Sequence, residues 1–368
     1  MKSNRLNRTH SVISKTAMLK SVSSKSSVFQ ATVGNHLHRF SMLLTVLCVF
    51  YLSGCTTEET PTSSTNQTQE TSFGVVMQVD DYPLFTLNYT ADYHFDSYLQ
   101  TGSMPVATSF STAAKNFACT CFSAFGGENR WLGRNYDWPE PSTYFLVFTD
   151  PPDGYASVST VDLTFFAYDH TESPDYPVNQ TTLRTLPFFP FDGINEAGVA
   201  IGMNAVPEAR APMQPDKVTI GELQLIRLVL DYAASTEEAV ALIKQYNIRM
   251  EEPPIHYLIA DSSGRSVIVE FNGGEMEIIE NTAPWQVTTN FVISGLQNWQ
   301  EAPCWRYTTT YQSLQESEGV LQENTAFYLL QKASVPTTRW STVFDLKSGH
   351  LKLAVGRNFE KKISSAGF

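Results

Sequence analysis

Apolar and polar positions alternate with the two-residue period of a β-strand through much of the chain after residue 73. Turn-forming residues, among them Asp80-Asp81 and Gly126-Gly127-Glu128-Asn129, divide this alternation into short runs of the kind found in antiparallel hairpins. A short helix ending at Gly102 interrupts them. The β runs in the first part of the chain are 74–89, 119–125, 130–138, 144–150, 155–166 and 193–206.

Helical spacing replaces the alternation in the middle of the chain. Two capping-box patterns, Thr219-Ile220-Gly221-Glu222 and Ser235-Thr236-Glu237-Glu238, each open an apolar run with helical spacing. Beyond them come strands at 256–280 and 285–293, helices near 304–315 and 325–333, and a β pair at 340–346 and 350–357. Hairpins before and after two separate helical pairs predict an α+β domain in which sheets pack on each other and are covered by helices.

The first 55 residues have the composition of a leader. Residues 1–40 are basic and lack Asp and Glu, and the apolar run that follows is too short to span a bilayer but fits a secretion signal. Its end, Leu52-Ser53-Gly54-Cys55, resembles a bacterial lipobox. The alternative is an ordinary buried cysteine, but the polar stretch 56–72 has the composition of a tether. We therefore expect an exported lipoprotein of the bacterial cell envelope, anchored in the membrane through a lipid on Cys55.

Charge and cysteine count exclude several classes of function. Seven of the 25 Lys and Arg residues lie in 1–40, so the remainder holds 18 basic against 37 acidic residues, a net charge of −19. Nucleic acids and anionic membrane surfaces are therefore not expected as partners. Three cysteines follow the anchor, without the spacing of a zinc site or disulfide framework: Cys119, Cys121 and Cys304. No metal or other cofactor is expected.

The hairpin 119–138 carries the candidate chemistry. Cys119 begins one strand, and Arg134 and Asp137 lie near the end of its partner, so the three can lie side by side. An adjacent cation stabilises a thiolate, and a carboxylate can orient an amine. From the residues alone, a surface hairpin with an ion pair and a core cysteine fits about equally well.

The hairpin also resembles the choloylglycine hydrolases and their relatives, the penicillin V acylases and acid ceramidase-like amidases. Members of this family begin the mature chain with Cys-Thr or Cys-Ser and continue to Gly-Arg-Asn-x-Asp-Trp, as Cys119-Thr120 and Gly133–Trp138 do here with one hairpin residue fewer. The resemblance implies an N-terminal nucleophile hydrolase with a four-layer αββα sandwich, in which two antiparallel sheets lie between helices.

Further matches follow in the family's order. Asp192–Gly198 with Gly202-Met203-Asn204 resembles a family hairpin that would place the Asn204 backbone at the oxyanion, and Thr289-Asn290 resembles the pair whose Asn side chain completes the oxyanion hole. Arg306-Tyr307 resembles the family helix that carries a second active-site arginine, and 340–345 resembles its closing strand. Turn or cap residues and a surface arginine are the alternatives for Asn204, Asn290 and Arg306.

The resemblance implies that Cys119 attacks the amide of a small N-acyl substrate and forms an acyl-thioester. Its own α-amine would be the base, since such an amine has a pKa of about 7.7–8.0. Asp137 would orient that amine and Arg134 would favour the thiolate. A free amine requires self-cleavage between Ala118 and Cys119, which would separate a propeptide, 73–118, from the catalytic domain, 119–368. Cys121 is an alternative first residue, but Cys-Thr and the closer spacing to Arg134 favour Cys119.

Three other functions compete with this hypothesis. A papain-like Cys/His hydrolase would need one of the four histidines after the anchor, none in a recognisable catalytic context: His94, His170, His256 and His350. An acyltransferase of the same fold would pass the acyl group to an amine. A non-catalytic ligand-binding lipoprotein would need no cleavage. The sequence leaves the oligomeric state open, a homo-oligomer included.

Overall fold

The structure, a computed structural model, describes residues 68–104, 118–139, 143–163, 180–251 and 253–365. The lipidation site predicted at Cys55 and most of the predicted tether lie outside these residues. Within the described ranges, no helix combines the length and the apolar character needed to cross a bilayer.

The described residues form eighteen strands and six α-helices. The strands are β1 Thr68–Thr71, β2 Gly74–Asp80, β3 Leu84–Tyr89, β4 Thr120–Ala124, β5 Trp131–Asp137, β6 Tyr144–Thr149, β7 Ser157–Asp162, β8 Asp192–Asn195, β9 Ala200–Ala205, β10 Thr219–Gly221, β11 Asn247–Arg249, β12 Ile255–Ala260, β13 Ser266–Asn272, β14 Glu275–Glu280, β15 Trp285–Thr288, β16 Thr338–Asp345, β17 His350–Val355 and β18 Ile363–Ser364. The helices are α1 Phe95–Thr101, α2 Gln180–Thr185, α3 Glu222–Tyr232, α4 Thr236–Ile243, α5 Trp305–Glu316 and α6 Glu323–Ala333. β1 begins inside the range expected as tether.

Two large sheets build the core. The first has ten strands in the order β1-β2-β3-β6-β7-β8-β9-β12-β13-β14, and the second has six in the order β15-β4-β5-β16-β17-β18. Their strand pairs are antiparallel except for β3 and β6, which are parallel. β4 and β5 of the second sheet contact β9 of the first.

Helices cover the outer face of each sheet. α3 packs on β8 and β9, and α4 on β12 and β13, while α5 and α6 pack on β4, β5, β15 and β16. Each residue of β5 is buried, as expected for a strand covered on both faces. The layers are therefore helices, sheet, sheet and helices, which confirms the predicted α+β sandwich.

The predicted capping box at Thr219 is wrong, whereas the one at Ser235 is confirmed. Thr219 lies in β10, which pairs in parallel with β11, and α3 begins at Glu222 after an extended Gly221. Because β10 continues to Gly221, α3 begins two residues later than the pattern predicts, and Gly221 occupies the N-cap position in place of Thr219. Ser235 does cap α4, since its hydroxyl accepts a hydrogen bond from the Glu238 N–H at 3.1 Å.

The segment before Cys119 is built into the first sheet. β3 pairs with β6 over its full length, from Leu84 opposite Tyr144 to Tyr89 opposite Thr149. The Tyr93 hydroxyl, which is buried, lies 2.8 Å from both carboxylate oxygens of Asp231 on α3. Asp231 also forms an ion pair with Arg227 at 2.8 Å. Residues 68–104 thus supply strands to the first sheet and a buried polar contact to α3.

Candidate active site

The β4–β5 hairpin brings three predicted site residues to one cavity. Cys119 immediately precedes β4 and is 6% exposed, while Arg134 and Asp137 on β5 are fully buried. The cavity has a volume of about 30 Å³, which is room for about one water molecule. Its lining is largely apolar: Cys119, Arg134, Tyr136, Asp137, Trp138, Phe191, Met203, Ala205, Glu222, Pro253 and Ile255.

Asn290 and Arg306 hold the backbone of Cys119. The Cys119 N–H donates to Asn290 Oδ1 at 2.7 Å, and the Cys119 carbonyl accepts a hydrogen bond from the Arg306 guanidinium. Arg306 also donates to Asn290 Oδ1 at 2.9 Å and to Thr120 Oγ1 at 3.1 Å. Residues from the loop after β15 and from the start of α5 therefore meet at the predicted nucleophile.

Burial governs the charge state of the Cys119 thiol. Removal from water raises its pKa, and the Asp137 carboxylate acts in the same direction. Arg134, Arg306 and the Asp137 backbone N–H favour the thiolate but do not outweigh burial. The thiol is therefore protonated near neutral pH, and an attack by its sulfur needs a base.

Asp137 has the properties of such a base. Burial raises its pKa to about 7, even though a hydrogen bond from Thr338 and the charges of Arg306 and Arg134 favour the ionised form. Thr338 Oγ1 donates to Oδ1. The other oxygen, Oδ2, is buried and has no hydrogen-bond partner among the described residues. One carboxylate oxygen is thus available for a proton or an amine.

Arg134 is fixed by partners on the opposite sheet. Its Nε and Nη2 donate to the Met203 carbonyl at 3.3 and 3.2 Å, and its Nη1 pairs with the buried carboxylate of Asp192. Asp192 also accepts hydrogen bonds from Thr160 at 2.7 Å and Trp340 at 3.1 Å.

The absence of a side chain at Gly202 on β9 lets Arg134 and Cys121 of the second sheet lie close to the backbone of the first sheet. A Cβ at Gly202 would lie 3.0 Å from the Cys121 sulfur and 3.1 Å from Arg134 Cδ. Both contacts are tighter than ordinary van der Waals distances, so a larger residue would displace the guanidinium.

Asn204 lies beside this group of residues and does not line the cavity. Its Oδ1 accepts a hydrogen bond from Thr288 Oγ1 at 2.7 Å, and its buried Nδ2 has no partner within the described part of the chain. Because the Met203 carbonyl faces Arg134, the planar trans peptide directs the Asn204 N–H to the opposite side. Among the described residues, the side-chain amide of Asn204 is therefore a buried donor without a partner, while the role that the resemblance implies for its backbone N–H stays a prediction.

The other two thiols lack the setting of Cys119. Cys121 lies opposite Arg134 in the β4–β5 ladder, and burial raises its pKa to about 12 despite that cation. Neither Cys121 nor Cys304, the residue before α5, lines the cavity. No described histidine lines it either, and the ring of His256 is occupied by Glu270 and the Thr289 carbonyl. The described residues thus offer no Cys/His pair at the cavity.

Two residues at the site were not expected from the sequence. Asp192 opens the Asp-Gly-Ile-Asn motif, but only the structure shows that its carboxylate holds Arg134. Thr338 lies in β16, and its contact with Asp137 arises from the pairing of β16 with β5.

Comparison with known proteins gives a family match over just over half of the chain. The family model is described as linear amide C-N hydrolases, choloylglycine hydrolase family, and it matches residues 126–327, so its match begins after Cys119. A curated protein from Paramecium bursaria Chlorella virus 1, described as uncharacterized, is 28% identical over 109 residues. That match covers 27% of this chain, and this chain spans only 38% of the viral protein.

Two solved structures are similar at low sequence identity. A mutant conjugated bile acid hydrolase from Clostridium perfringens has a TM-score of 0.48 and 15% identity, and the match covers 67% of this chain and 92% of that one. Penicillin V acylase from Agrobacterium tumefaciens has a TM-score of 0.45 and 19% identity, with coverages of 64% and 83%.

Proposed function

Because the chain belongs to the choloylglycine hydrolase family of linear amide C-N hydrolases, we propose that Cys119 is its nucleophile and that it cleaves an N-acyl amide through an acyl-thioester. The family predicted from the motifs and its reaction class, hydrolysis of linear amides, are confirmed by the family match. The identity of the nucleophile, the self-cleavage and the substrate are our proposals.

The observation that carries the proposal is the convergence of predicted residues on Cys119. Asn290 binds its N–H, Arg306 binds its carbonyl, and Arg134 and Asp137 share its cavity. These residues come from a hairpin, a loop and a helix that are far apart in the chain. A core cysteine would not need two arginines and a carboxylate around it, because buried charges are costly unless they are paired or functional.

Self-cleavage needs a base that is present before the α-amine exists, and Asp137 meets this condition. Its ionised carboxylate takes the proton of the Cys119 thiol, and the sulfur attacks the Ala118 carbonyl carbon. The Ala118–Cys119 C–N bond then breaks as the nitrogen takes up a proton, which leaves a thioester between Ala118 and the sulfur. Water hydrolyses the thioester and yields the Ala118 carboxylate, the free thiol and the α-amine of Cys119.

Turnover repeats this chemistry on an external amide with the α-amine as the base. The amine nitrogen is the atom that already contacts Asn290 Oδ1 at 2.7 Å. Asp137 lines the same cavity, and its Oδ2, which has no partner among the described residues, would orient the amine. With a pKa of about 7.7–8.0, a fraction of such amines is neutral at pH 7 and can accept the thiol proton.

Two side-chain amides are our candidates for the oxyanion hole. Asn290 Nδ2 uses one hydrogen on the Ala205 carbonyl at 3.0 Å and retains a second one. Asn204 Nδ2 is buried without a partner among the described residues. Removal of one oxyanion donor typically raises the barrier by about 2.7–4 kcal/mol.

We propose a substrate with an apolar acyl group, because aromatic and aliphatic side chains dominate the cavity lining. A cavity of about 30 Å³ is too small for such a group, so in this proposal self-cleavage precedes substrate binding. Bile-salt amides, penicillin V, acyl-homoserine lactones and N-acyl lipids are the panel to test. Release of free acid distinguishes hydrolysis from acyl transfer to an added amine.

Intact-mass analysis of the purified protein tests the proposal. We expect a break between Ala118 and Cys119 in the wild type and in Cys121→Ala, and an uncut, inactive chain for Cys119→Ala. A wild-type chain that turns over an amide while still uncut would refute the proposed nucleophile.

We also propose membrane anchoring through Cys55, on the sequence evidence. Labelled palmitate should be incorporated into the wild type and not into Cys55→Ser. Equal labelling of the two chains would exclude this anchor.

A further inference from the structure

Three polar side chains form a row across the first sheet, beneath the loop that carries Asn290. Asn204 on β9 lies opposite His256 on β12, and the β12–β13 register, with Tyr257 opposite Val269, continues to His256 opposite Glu270. Directly opposite residues point to the same face of a sheet. All three side chains of the row are fully buried.

The row binds successive parts of the segment 288–294. Asn204 Oδ1 accepts from Thr288 Oγ1 at 2.7 Å, and His256 Nε2 lies 2.8 Å from the Thr289 carbonyl oxygen. The two oxygens of Glu270 accept from the N–H groups of residues 293 and 294 at 2.8 and 2.7 Å. Residues 289–298 belong to neither a strand nor an α-helix, so these side chains replace the missing ladder bonds.

Two members of the row contact each other directly. His256 Nδ1 lies 3.0 Å from Glu270 Oε1, and His256 Nε2 lies 2.8 Å from the Thr289 carbonyl oxygen, so both ring nitrogens have a partner. Burial by itself would raise the pKa of Glu270, but hydrogen bonds from His256 and two backbone N–H groups outweigh it, so the pKa is lowered. Because both ring nitrogens are engaged within the protein, the His256 ring is held in a fixed orientation between Glu270 and the Thr289 carbonyl.

We propose that His256 and Glu270 are positioning residues that fix the Asn290 carboxamide against Cys119; this inference rests on the proposed function. The row holds the segment on both sides of Asn290, at Thr289 and at residues 293–294. Between these points, Asn290 Oδ1 accepts from the Cys119 N–H, and Asn290 Nδ2 donates one hydrogen to the Ala205 carbonyl. The second hydrogen of Nδ2 is the oxyanion donor of the proposed function. An oxyanion donor must be held within about 0.5 Å of its productive position.

Glu270→Gln tests the role, with Glu277→Gln as its matched control. Glu277 lies opposite Glu270 on the neighbouring strand β14, so the same change is made one strand away. The amide introduced by Glu270→Gln would place a donor against a backbone N–H and release the loop. We expect kcat per cut molecule to fall about 10- to 100-fold, below the roughly 10²- to 10³-fold loss of a whole oxyanion donor. KM should stay within about threefold, because the acyl-binding residues are unchanged.

A double-mutant cycle separates positioning from a general loss of stability. If Glu270 acts through Asn290, adding Glu270→Gln to Asn290→Ala should lower kcat by less than about threefold. Losses that multiply would overturn the inference, as would an unchanged kcat in Glu270→Gln. For variants that are slow to mature, the same double-mutant cycle is measured on the rate of self-cleavage. If Glu270→Gln does not fold, His256→Gln takes its place in the cycle. A wild type that is neither cut nor active would instead refute the proposed function.

Discussion

The hydrogen bond between Thr338 and Asp137 makes the base of self-cleavage testable through its pH dependence. Thr338 Oγ1 donates to Asp137 Oδ1 and thereby favours the ionised carboxylate. Thr338→Val removes the hydroxyl with little change in side-chain volume. The pKa of Asp137 should therefore rise above its value of about 7.

The size of the effect follows from the strength of a hydrogen bond to a charged group. Such a bond contributes about 1.5–3 kcal/mol, and 1.36 kcal/mol corresponds to one pKa unit, so the pKa should rise by about one to two units. In the proposed mechanism the ionised carboxylate is the base, so self-cleavage should be slow below the pKa of Asp137 and reach a plateau above it. At pH 7 the variant should be cut about 5- to 50-fold more slowly than the wild type, and the difference should vanish at high pH.

The assay follows conversion of freshly refolded, uncut chain by intact mass between pH 5 and 10. Thr338→Ser is the matched control, because it keeps the hydroxyl and also the acceptor for the Val335 N–H, which lies 2.9 Å from Oγ1. The serine variant should give the wild-type midpoint. If the valine and wild-type profiles coincide, or if valine slows cleavage equally at every pH, Asp137 is not the base.

Three further changes probe the packing around the site. Cys121→Ala should leave self-cleavage within about threefold of wild type and lower the free energy of unfolding by about 1 kcal/mol, measured by urea denaturation; loss of cleavage would transfer the nucleophile to Cys121. Gly202→Ala should slow cleavage and cost about 1–3 kcal/mol, because the added methyl group presses on the Arg134 side chain. Tyr93→Phe removes the hydrogen-bond donor to Asp231, so the fragment before Cys119 should dissociate from the cut protein at a lower urea concentration than in the wild type. Size-exclusion chromatography of the cut protein would detect this release. Release at the same urea concentration would show that the contact does not hold the fragment.

Local pattern was sufficient to predict most of the longer elements and the central hairpin, but not the short elements β1, α2, β10 and β11. Turn residues at 126–129 fix where the chain reverses, and the alternation on either side fixes which residues pair. Cys119, Arg134 and Asp137 all belong to this one hairpin, so the local pattern alone places Arg134 and Asp137 near Cys119. The structure has Thr120 opposite Asn135 and Cys121 opposite Arg134, in agreement with that reasoning.

The remaining features of the site depend on strand pairing between distant parts of the chain, which local sequence patterns do not reveal. Asn290 and Arg306 were placed at the site only through the family resemblance, since β15 must pair with β4 before either can reach Cys119. The cap at Thr219 failed for the same reason, because β11 lies almost thirty residues further along the chain, as the pairing of Thr219 with Asn247 shows. The Asn204 side chain was also beyond local reasoning, as its partner Thr288 lies on the opposite sheet.

The parallel pairing of β3 with β6 has a consequence for how the mature protein loses its folded state over time. After a cut at Ala118 the sheet would be shared by two polypeptides, and loss of the shorter one would leave β6 as an uncovered edge, open to aggregation. The original covalent link would not be restored, so an unfolded mature protein would have to reassemble in a concentration-dependent reaction from two pieces. We therefore expect thermal unfolding to be reversible for uncut Cys119→Ala and irreversible for the cut wild type, so that the lifetime of the enzyme would be set by an unfolding rate.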